Sequence, residues 1–148
     1  MGSKNKLKRF NENETFTNVI QPSREEVLDN FSFKGKWHSF FKNTHPIVIE
    51  LGCGKGEYTI DLAKKNPDKN FIGIDIKGAR FWRGAKTALE DNLGNVAFVR
   101  TQIELVNHIF ADGEVDRYED GVIRRVSELI YVSHSDFIRM KIAARDGV

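Results

Sequence analysis

Three short runs of consecutive apolar residues mark the middle of the chain. They occupy residues 47–49, 71–74 and 96–99 and are rich in β-branched and aromatic side chains, and the second predicted strand continues to Asp75 and Ile76. Such runs lack the alternation of apolar and polar residues that is typical of a strand with one face in water. They therefore predict strands that are buried on both faces of a sheet.

The segments that separate these runs have the length and spacing of helices. Residues 58–63 fit a helix that ends at Asn66-Pro67-Asp68, because proline cannot continue it. A second helix is predicted over residues 79–92 and a third over residues 105–110. Strands that alternate with helices predict parallel βαβ units with helices on both faces, which is a Rossmann-like α/β fold. The expected inner face of the second helix carries Phe81, Ala85, Ala88 and Leu89.

The amino-terminal part of the chain is more polar. Residues 1–18 hold few apolar side chains, and the first ten residues include Lys4, Lys6, Lys8 and Arg9 but no acid. This pattern predicts a mobile basic arm, which serves either as a solubilising tail or as an arm that lies along phosphates.

A capping-box pattern and an aromatic cluster follow this arm. Ser-Arg-Glu-Glu begins at Ser23 and predicts a short helix. We expect Trp37, Phe40 and Phe41 to pack the amino-terminal segment onto the main body. Towards the carboxyl end, the apolar residues between Val122 and Ile130 have helical spacing, but residues 129–132 could equally form a strand, and Ser135 is a candidate cap for a last helix.

Composition narrows the class of protein. Of the 148 residues, 40% are hydrophobic and 30% are charged, as in ordinary globular proteins. The formal charge of +2 excludes a general polycation, so contact with nucleic acid requires local clusters of cations. Cys53 is the single cysteine, and the four histidines lack metal-ligand spacing, so we predict neither a disulfide nor a metal site. No stretch is apolar enough to span a membrane, and we expect a reducing, cytoplasmic setting.

The candidate chemistry begins where the first buried strand ends. Gly52, Gly54 and Gly56 form a GxGxG loop around Cys53, directly after the acidic Glu50. The dinucleotide-binding fingerprint places its third glycine one residue later. A carboxylate at position 50 repels a pyrophosphate but can hold an ammonium group directly or through water. We therefore expect the loop to bind S-adenosylmethionine rather than NAD.

The next two strands end in residues that suit the same ligand. Asp75 follows Gly56 by 19 positions and can accept hydrogen bonds from both ribose hydroxyls of an adenosine. Ile76 is placed to pack against the adenine, and Gln102 and Ile103 can present an amide and a backbone N–H to the edge of that ring. The predicted cofactor site thus spans three successive strands.

These residues also carry a resemblance to a known family. Residues 37–38, 47–57, 70–77 and 95–100 are similar to the bacterial tRNA (guanine-N7-)-methyltransferases, which have the class I methyltransferase fold. The resemblance implies methyl transfer from S-adenosylmethionine to N7 of a guanine in the variable loop of tRNA. It also implies that Glu50, Asp75 and Gln102 contact the cofactor.

The resemblance divides the chain into three parts. Residues 1–35 form the basic arm and short helix, residues 36–116 the S-adenosylmethionine-binding α/β domain, and residues 117–148 a divergent segment. Three strands are well marked, a fourth is expected near residue 115 and a fifth near residue 130 is doubtful, so we expect the sheet to be incomplete on its carboxyl-terminal side.

The family's catalytic acid has no clear counterpart in the sequence. The family supplies it from a Pro-Asp-Pro type segment after the fourth strand, whereas this chain continues Arg117-Tyr118-Glu119-Asp120-Gly121. We expect a solvated turn there, with Glu119 or Asp120 as the alternative candidates for the acid, and leave the catalytic residue unassigned. An inactive or truncated S-adenosylmethionine-binding module is therefore the alternative hypothesis.

A row of cations suggests the substrate surface. Lys77, Arg80, Arg83 and Lys86 follow the second buried strand at near-helical spacing, with Trp82 among them. Such a row can follow RNA phosphates while the aromatic ring stacks on a base. The alternative is an ordinary solvated helix face with Trp82 in the core.

The sequence leaves the oligomeric state open.

Overall fold

The computed structural model describes the backbone of residues 3–120 and the side chains of residues 5–116. The segment 122–132 and the helix predicted after Ser135 lie outside these residues. The helices are α1 (Ser3–Asn13), α2 (Arg24–Asn30), α3 (Trp37–Phe41), α4 (Glu57–Lys65), α5 (Gly78–Glu90) and α6 (Val106–Ile109), the last preceded by a 3₁₀ turn (Ile103–Leu105). The strands are β1 (Val19–Ile20), β2 (Ile47–Leu51), β3 (Asn70–Asp75), β4 (Val96–Arg100) and β5 (Arg117–Asp120).

The strands form one parallel sheet in the order β1-β4-β3-β2-β5. The central register pairs Ile49 with Ile72 and Ile72 with Ala97, and all three side chains are fully buried. This arrangement confirms the predicted Rossmann-like α/β fold. The expected fourth strand is present as β5. The two-residue β1, which pairs with β4 at the edge of the sheet, is not predicted by the sequence, because it is too short to produce a pattern of apolar residues.

Helices cover both faces of the sheet, as buried strands require. On one face, side chains of β2, β3 and β4 pack with α2, α3 and α6. On the other face, they pack with α4 and α5. The predicted inner face of α5 is confirmed for Phe81, Ala85 and Ala88, but the prediction for Leu89 is wrong. Leu89 is 38% exposed although Ala88 in the same last turn is buried, because at about 100° per residue it lies about 80° around the helix axis from Phe81, at the margin of the buried face.

The aromatic segment packs against the body of the domain, as predicted. The Trp37 ring is fully buried and lies 5.4 Å from the ring of Phe110, centre to centre. Its indole Nε1 donates to the Ile109 carbonyl at 3.0 Å. The carboxylate of Glu114, which the sequence did not single out, accepts backbone N–H bonds from Gly35, Trp37 and Ala111.

The cap of α2 is confirmed at its first turn. Ser23 is the N-cap residue, and its hydroxyl accepts a hydrogen bond from the backbone N–H of Glu26 at 3.1 Å. Val27 faces the core and is 2% exposed. A short helix of this kind depends on its cap and on one buried side chain.

The amino-terminal segment is a helix, and the prediction of a mobile arm is wrong for residues 3–13. This helix, α1, packs on α5: Asn13 Nδ2 donates to the Gly78 carbonyl at 2.9 Å, and Trp82 Nε1 donates to Glu12 at 2.7 Å. The guanidinium of Arg9 lies 4.4 Å from the Trp82 ring centre. Because α1 is held by polar and cation–π contacts, its sequence has no stripe of apolar residues at helical spacing. Apolar periodicity therefore does not predict this helix.

The ring of Phe98 in β4 occupies a space that three glycines leave open. A Cβ atom on Gly56, Gly73 or Gly84 would lie 2.7, 2.8 or 2.9 Å from this ring. The ring also stacks on Phe81 at 5.3 Å between centres. Since these glycines belong to the loop after β2, to β3 and to α5, one side chain fixes the spacing of three elements.

The Phe98 contact can be tested by comparing alanine variants of two glycines that have the same φ. Gly56 and Gly113 both have φ of +80°, so alanine at either position strains the backbone by about 1–2 kcal/mol. Only Gly56→Ala brings a new methyl group against Phe98, since a Cβ on Gly113 meets nothing within 4 Å. We expect Gly56→Ala to lower the free energy of unfolding by about 1–3 kcal/mol more than Gly113→Ala does. Urea denaturation measures the difference, and equal losses would contradict the packing role.

Candidate functional site

The predicted glycine loop joins the end of β2 to the start of α4. The backbone N–H groups of Gly52 and Cys53 both donate to the Ile74 carbonyl, at 2.8 and 3.0 Å, so the loop is bound to the end of β3. Gly52, Gly54 and Gly56 have φ of +73°, +57° and +80°. This left-handed region strongly favours glycine, which explains why glycine alternates along the loop.

Asp75 connects this loop to the end of β3. One carboxylate oxygen accepts the backbone N–H of Gly54 at 3.0 Å, and the other accepts that of Lys77 at 2.9 Å. The side chain is half-buried. The structure therefore brings the predicted loop and the predicted ribose acceptor into direct contact, at the edge where parallel sheets bind ligands.

Glu50 lies beneath the loop. It is only 3% exposed, and its Oε2 accepts a hydrogen bond from the hydroxyl of Thr59 on α4 at 2.8 Å. The carboxylate thus links β2 to the helix that follows the loop. The sequence did not indicate Thr59, because a buried threonine near the start of a helix has no distinctive pattern.

Cys53 is buried between the loop and β3. Burial raises the pKa of the Cys53 thiol well above its ordinary value, and the negative charge of Asp75 acts in the same direction. The thiol is therefore protonated near neutral pH, and it fills space in the core instead of serving as a nucleophile.

The end of β4 supplies the third predicted part of the site. Gln102 is exposed, and its Oε1 accepts a hydrogen bond from Arg24 at 2.9 Å. Ile103 begins the 3₁₀ turn, where a backbone N–H has no partner within the turn itself. The backbone N–H of Thr101 donates to the Asp75 carbonyl at 3.2 Å, which holds the two strand ends together. Arg24 belongs to α2, so its place beside the site was not apparent from the sequence.

The four predicted RNA-contacting cations fall into two groups. Lys77 and Arg80 lie beside the glycine loop, and Arg80 Nη2 is 3.2 Å from the position of a Cβ on Gly54. Arg83 and Lys86 lie about the Trp82 ring, at 5.9 and 5.0 Å from its centre. Trp82 itself is half-buried between α1 and α5, so α1 covers part of the ring that we expected to stack on a base.

The segment expected to be a solvated turn is part of the sheet. Residues 117–120 form β5, and Asp120 pairs with Leu51 at the end of β2. The turn prediction is wrong because the backbone of these residues pairs with β2. The carboxyl end of β5 therefore lies at the same edge as the glycine loop.

Neither a cluster of metal ligands nor a membrane-spanning helix is found among the described residues. Among the residues that the structure describes, no three His, Cys, Asp or Glu side chains lie close enough to bind a metal ion together. Within the same part of the chain, none of the helices has the length and apolar character needed to cross a membrane.

Comparison with known proteins identifies the family. Residues 44–119 match the model of a family described as "Putative methyltransferase". A tRNA (guanine-N(7)-)-methyltransferase of Christiangramia forsetii is 62% identical over the whole of this chain, which covers 70% of that protein. This chain belongs to the tRNA (guanine-N(7)-)-methyltransferase family. The alignment includes residues 117–148, for which the sequence alone indicated no counterpart.

A second relative gives the same family and a shorter match. The tRNA (guanine-N(7)-)-methyltransferase of Porphyromonas gingivalis is 56% identical over 69% of this chain. That match covers 43% of the Porphyromonas protein, so the chain spans less than half of its length.

Solved structures support the fold of this methyltransferase-family chain. An antibiotic-related methyltransferase has a TM-score of 0.51 at 22% identity, over 58% of this chain and 44% of the other. The antibiotic-resistance methyltransferase Kmr has a TM-score of 0.50 at 22% identity, over 55% of this chain and 40% of the other. At this level of identity the likeness concerns the fold alone.

Proposed function

We propose that the chain binds S-adenosylmethionine and transfers its methyl group to N7 of a guanine in the variable loop of tRNA. The observation that carries the proposal is the pair of hydrogen bonds that holds Asp75 between Gly54 and Lys77. They bring an acid and a glycine loop together at the carboxyl edge of a parallel sheet. The names of the relatives point to tRNA as the substrate. Because tRNA is found in the cytoplasm, the proposal places the protein there as well.

The residues of this edge fit an adenosine cofactor that carries an amino acid. A Cβ on Gly52 would meet nothing within 4 Å, so there is space in front of the loop. Asp75 would accept hydrogen bonds from the ribose, while Ile76, Gln102 and Ile103 would contact the adenine. Ile76 is 44% exposed, which leaves its side chain accessible to a ring. Because Glu50 is buried, a contact with the methionine ammonium would pass through water or the loop.

The proposed reaction depends mainly on position. The bound cofactor supplies an electrophilic methyl group on a sulfonium ion. Guanine N7 has an exposed lone pair, so no proton has to be removed before attack. The methylated base is cationic, and a carboxylate near it would stabilise the growing charge. The carboxyl end of β5 is the place in this fold from which such a group would come, since Asp120 pairs with Leu51 beside the loop.

The direct test is methyl transfer to an unmodified tRNA transcript. The full chain is incubated with radiolabelled S-adenosylmethionine, and the modified base is located by borohydride reduction and aniline cleavage. We expect label in the tRNA and cleavage in the variable loop. A chain that binds cofactor but gives no label would favour the alternative of an inactive binding module.

The proposed contact between Asp75 and the ribose predicts that a change at this position weakens the binding of S-adenosylhomocysteine. Asp75→Asn keeps the shape of the side chain but removes its charge and one acceptor, and a charge-assisted hydrogen bond contributes about 1.5–3 kcal/mol. We expect calorimetry to show binding that is weaker by about tenfold or more. Asp61→Asn, on an exposed position of α4, is the matched control and should bind as the wild type does. Unchanged affinity in a folded Asp75→Asn variant would refute the ribose contact.

The cations of α5 predict how tRNA binding depends on salt. Arg83 and Lys86 lie apart from the glycine loop, so replacing both by glutamine should leave S-adenosylhomocysteine affinity unchanged. Each phosphate contact contributes about −0.7 to −0.9 to the slope of log K against log salt. We expect the double variant to reduce the magnitude of that slope by about one to two units.

A charge-matched control separates this effect from a change in overall charge. Lys65 ends α4 and Lys69 precedes β3, so both lie at the opposite edge of the sheet. The double variant Lys65→Gln and Lys69→Gln should keep the wild-type slope. Equal slopes in all three proteins would leave Arg83 and Lys86 as ordinary surface charges.

A further inference from the structure

A groove lies beside the proposed cofactor site, between α1 and the start of α5. It has a volume of about 500 Å³, and α1, the turn after β3 and the end of β4 form its walls. We call it the α1–α5 groove. Its lining includes Lys6, Leu7, Phe10, Ile76, Lys77 and Arg100.

The apolar part of the groove is exposed to an unusual degree. Leu7 is 63% exposed and Ile76 is 44% exposed, and both belong to the four large apolar side chains that the described residues leave in water. Phe10, one turn after Lys6 on α1, adds a half-buried ring. Exposed apolar side chains that meet in one concave surface are typical of a binding site.

The charged part of the groove has a single sign. Lys6, Lys77 and Arg100 contribute cations, and no acidic side chain is among the described residues that line it. The Arg100 guanidinium lies 5.4 Å from the centre of the Phe10 ring, so one cation is held beside the aromatic face. An apolar groove with cations around it matches a nucleotide, whose base is apolar on its faces and whose phosphate is an anion.

We propose that the α1–α5 groove binds one nucleotide of the substrate RNA, with the base against Leu7 and Phe10 and the phosphate near Lys6, Lys77 and Arg100. This inference rests on the proposed function, because tRNA supplies the nucleotide. The groove shares Ile76 with the predicted adenine contacts but includes neither Gln102 nor Ile103. The RNA nucleotide therefore lies next to the cofactor and does not replace it. In this arrangement, α1 forms one wall of the RNA-binding surface.

The test compares two variants: one introduces a negative charge into the groove, and the other introduces the same charge on a different helix. Leu7→Asp and Leu28→Asp are the same substitution at two exposed helical leucines, and only Leu7 lines the groove. The probe is an unmodified tRNA transcript titrated into the full chain, with S-adenosylhomocysteine binding and thermal unfolding measured on each variant. We expect Leu7→Asp to weaken tRNA binding by about tenfold, while Leu28→Asp binds as the wild type does. Leu7→Met, which keeps the apolar contact, should retain the wild-type affinity.

The possible failures can be told apart. If the wild type binds tRNA and Leu7→Asp binds it equally well, the groove proposal is wrong and the proposed function stands. If Leu7→Asp instead weakens S-adenosylhomocysteine binding, the groove is part of the cofactor site and the proposal is also wrong. If the wild type binds no tRNA, both the proposed function and the groove proposal fail.

Discussion

The site depends on the close packing of one aromatic ring against three glycines. Phe98 reaches the glycine loop at Gly56, β3 at Gly73 and α5 at Gly84, and each of these positions has no room for a further carbon atom. The backbone N–H of Gly84 also donates to the Lys55 carbonyl at 3.1 Å, which joins α5 to the loop. Protein interiors transmit small displacements because they are close-packed. The position of the loop is therefore set by a residue two strands away.

Within this frame, hydrogen bonds orient the parts that would meet a ligand. Asp75 accepts from the glycine loop and from the turn before α5, while its own carbonyl accepts from Thr101 after β4. Asp75 thus connects the ends of β2, β3 and β4. Such an arrangement fixes the carboxylate before a ligand arrives, which lowers the cost of ordering the site on binding.

Much of the fold, and the meeting of the glycine loop with Asp75 at one edge of the sheet, could be predicted from the sequence, because strong local patterns encode them. The buried strands, the left-handed glycines and Asp75 all follow from short-range spacing. The features that the sequence did not reveal depend on distant contacts. A hydrogen bond from Trp82 to Glu12 joins α5 to α1, Glu114 binds the backbone of a segment far along the chain, and Arg24 of α2 contacts Gln102. None of these contacts produces a periodic pattern.

The buried thiol gives the glycine loop an internal reporter. Cys53 is the only cysteine in the chain, and its sulfur lies 3.0 Å from the position of a Cβ on Gly73. Alkylation requires a thiolate in contact with water, and the folded loop provides neither condition. Labelling of this thiol therefore requires local or global opening of the fold around it, and where reclosing is faster than alkylation the rate of labelling reports the free energy of that opening. The same single atom allows loop motion to be followed in an unmodified protein.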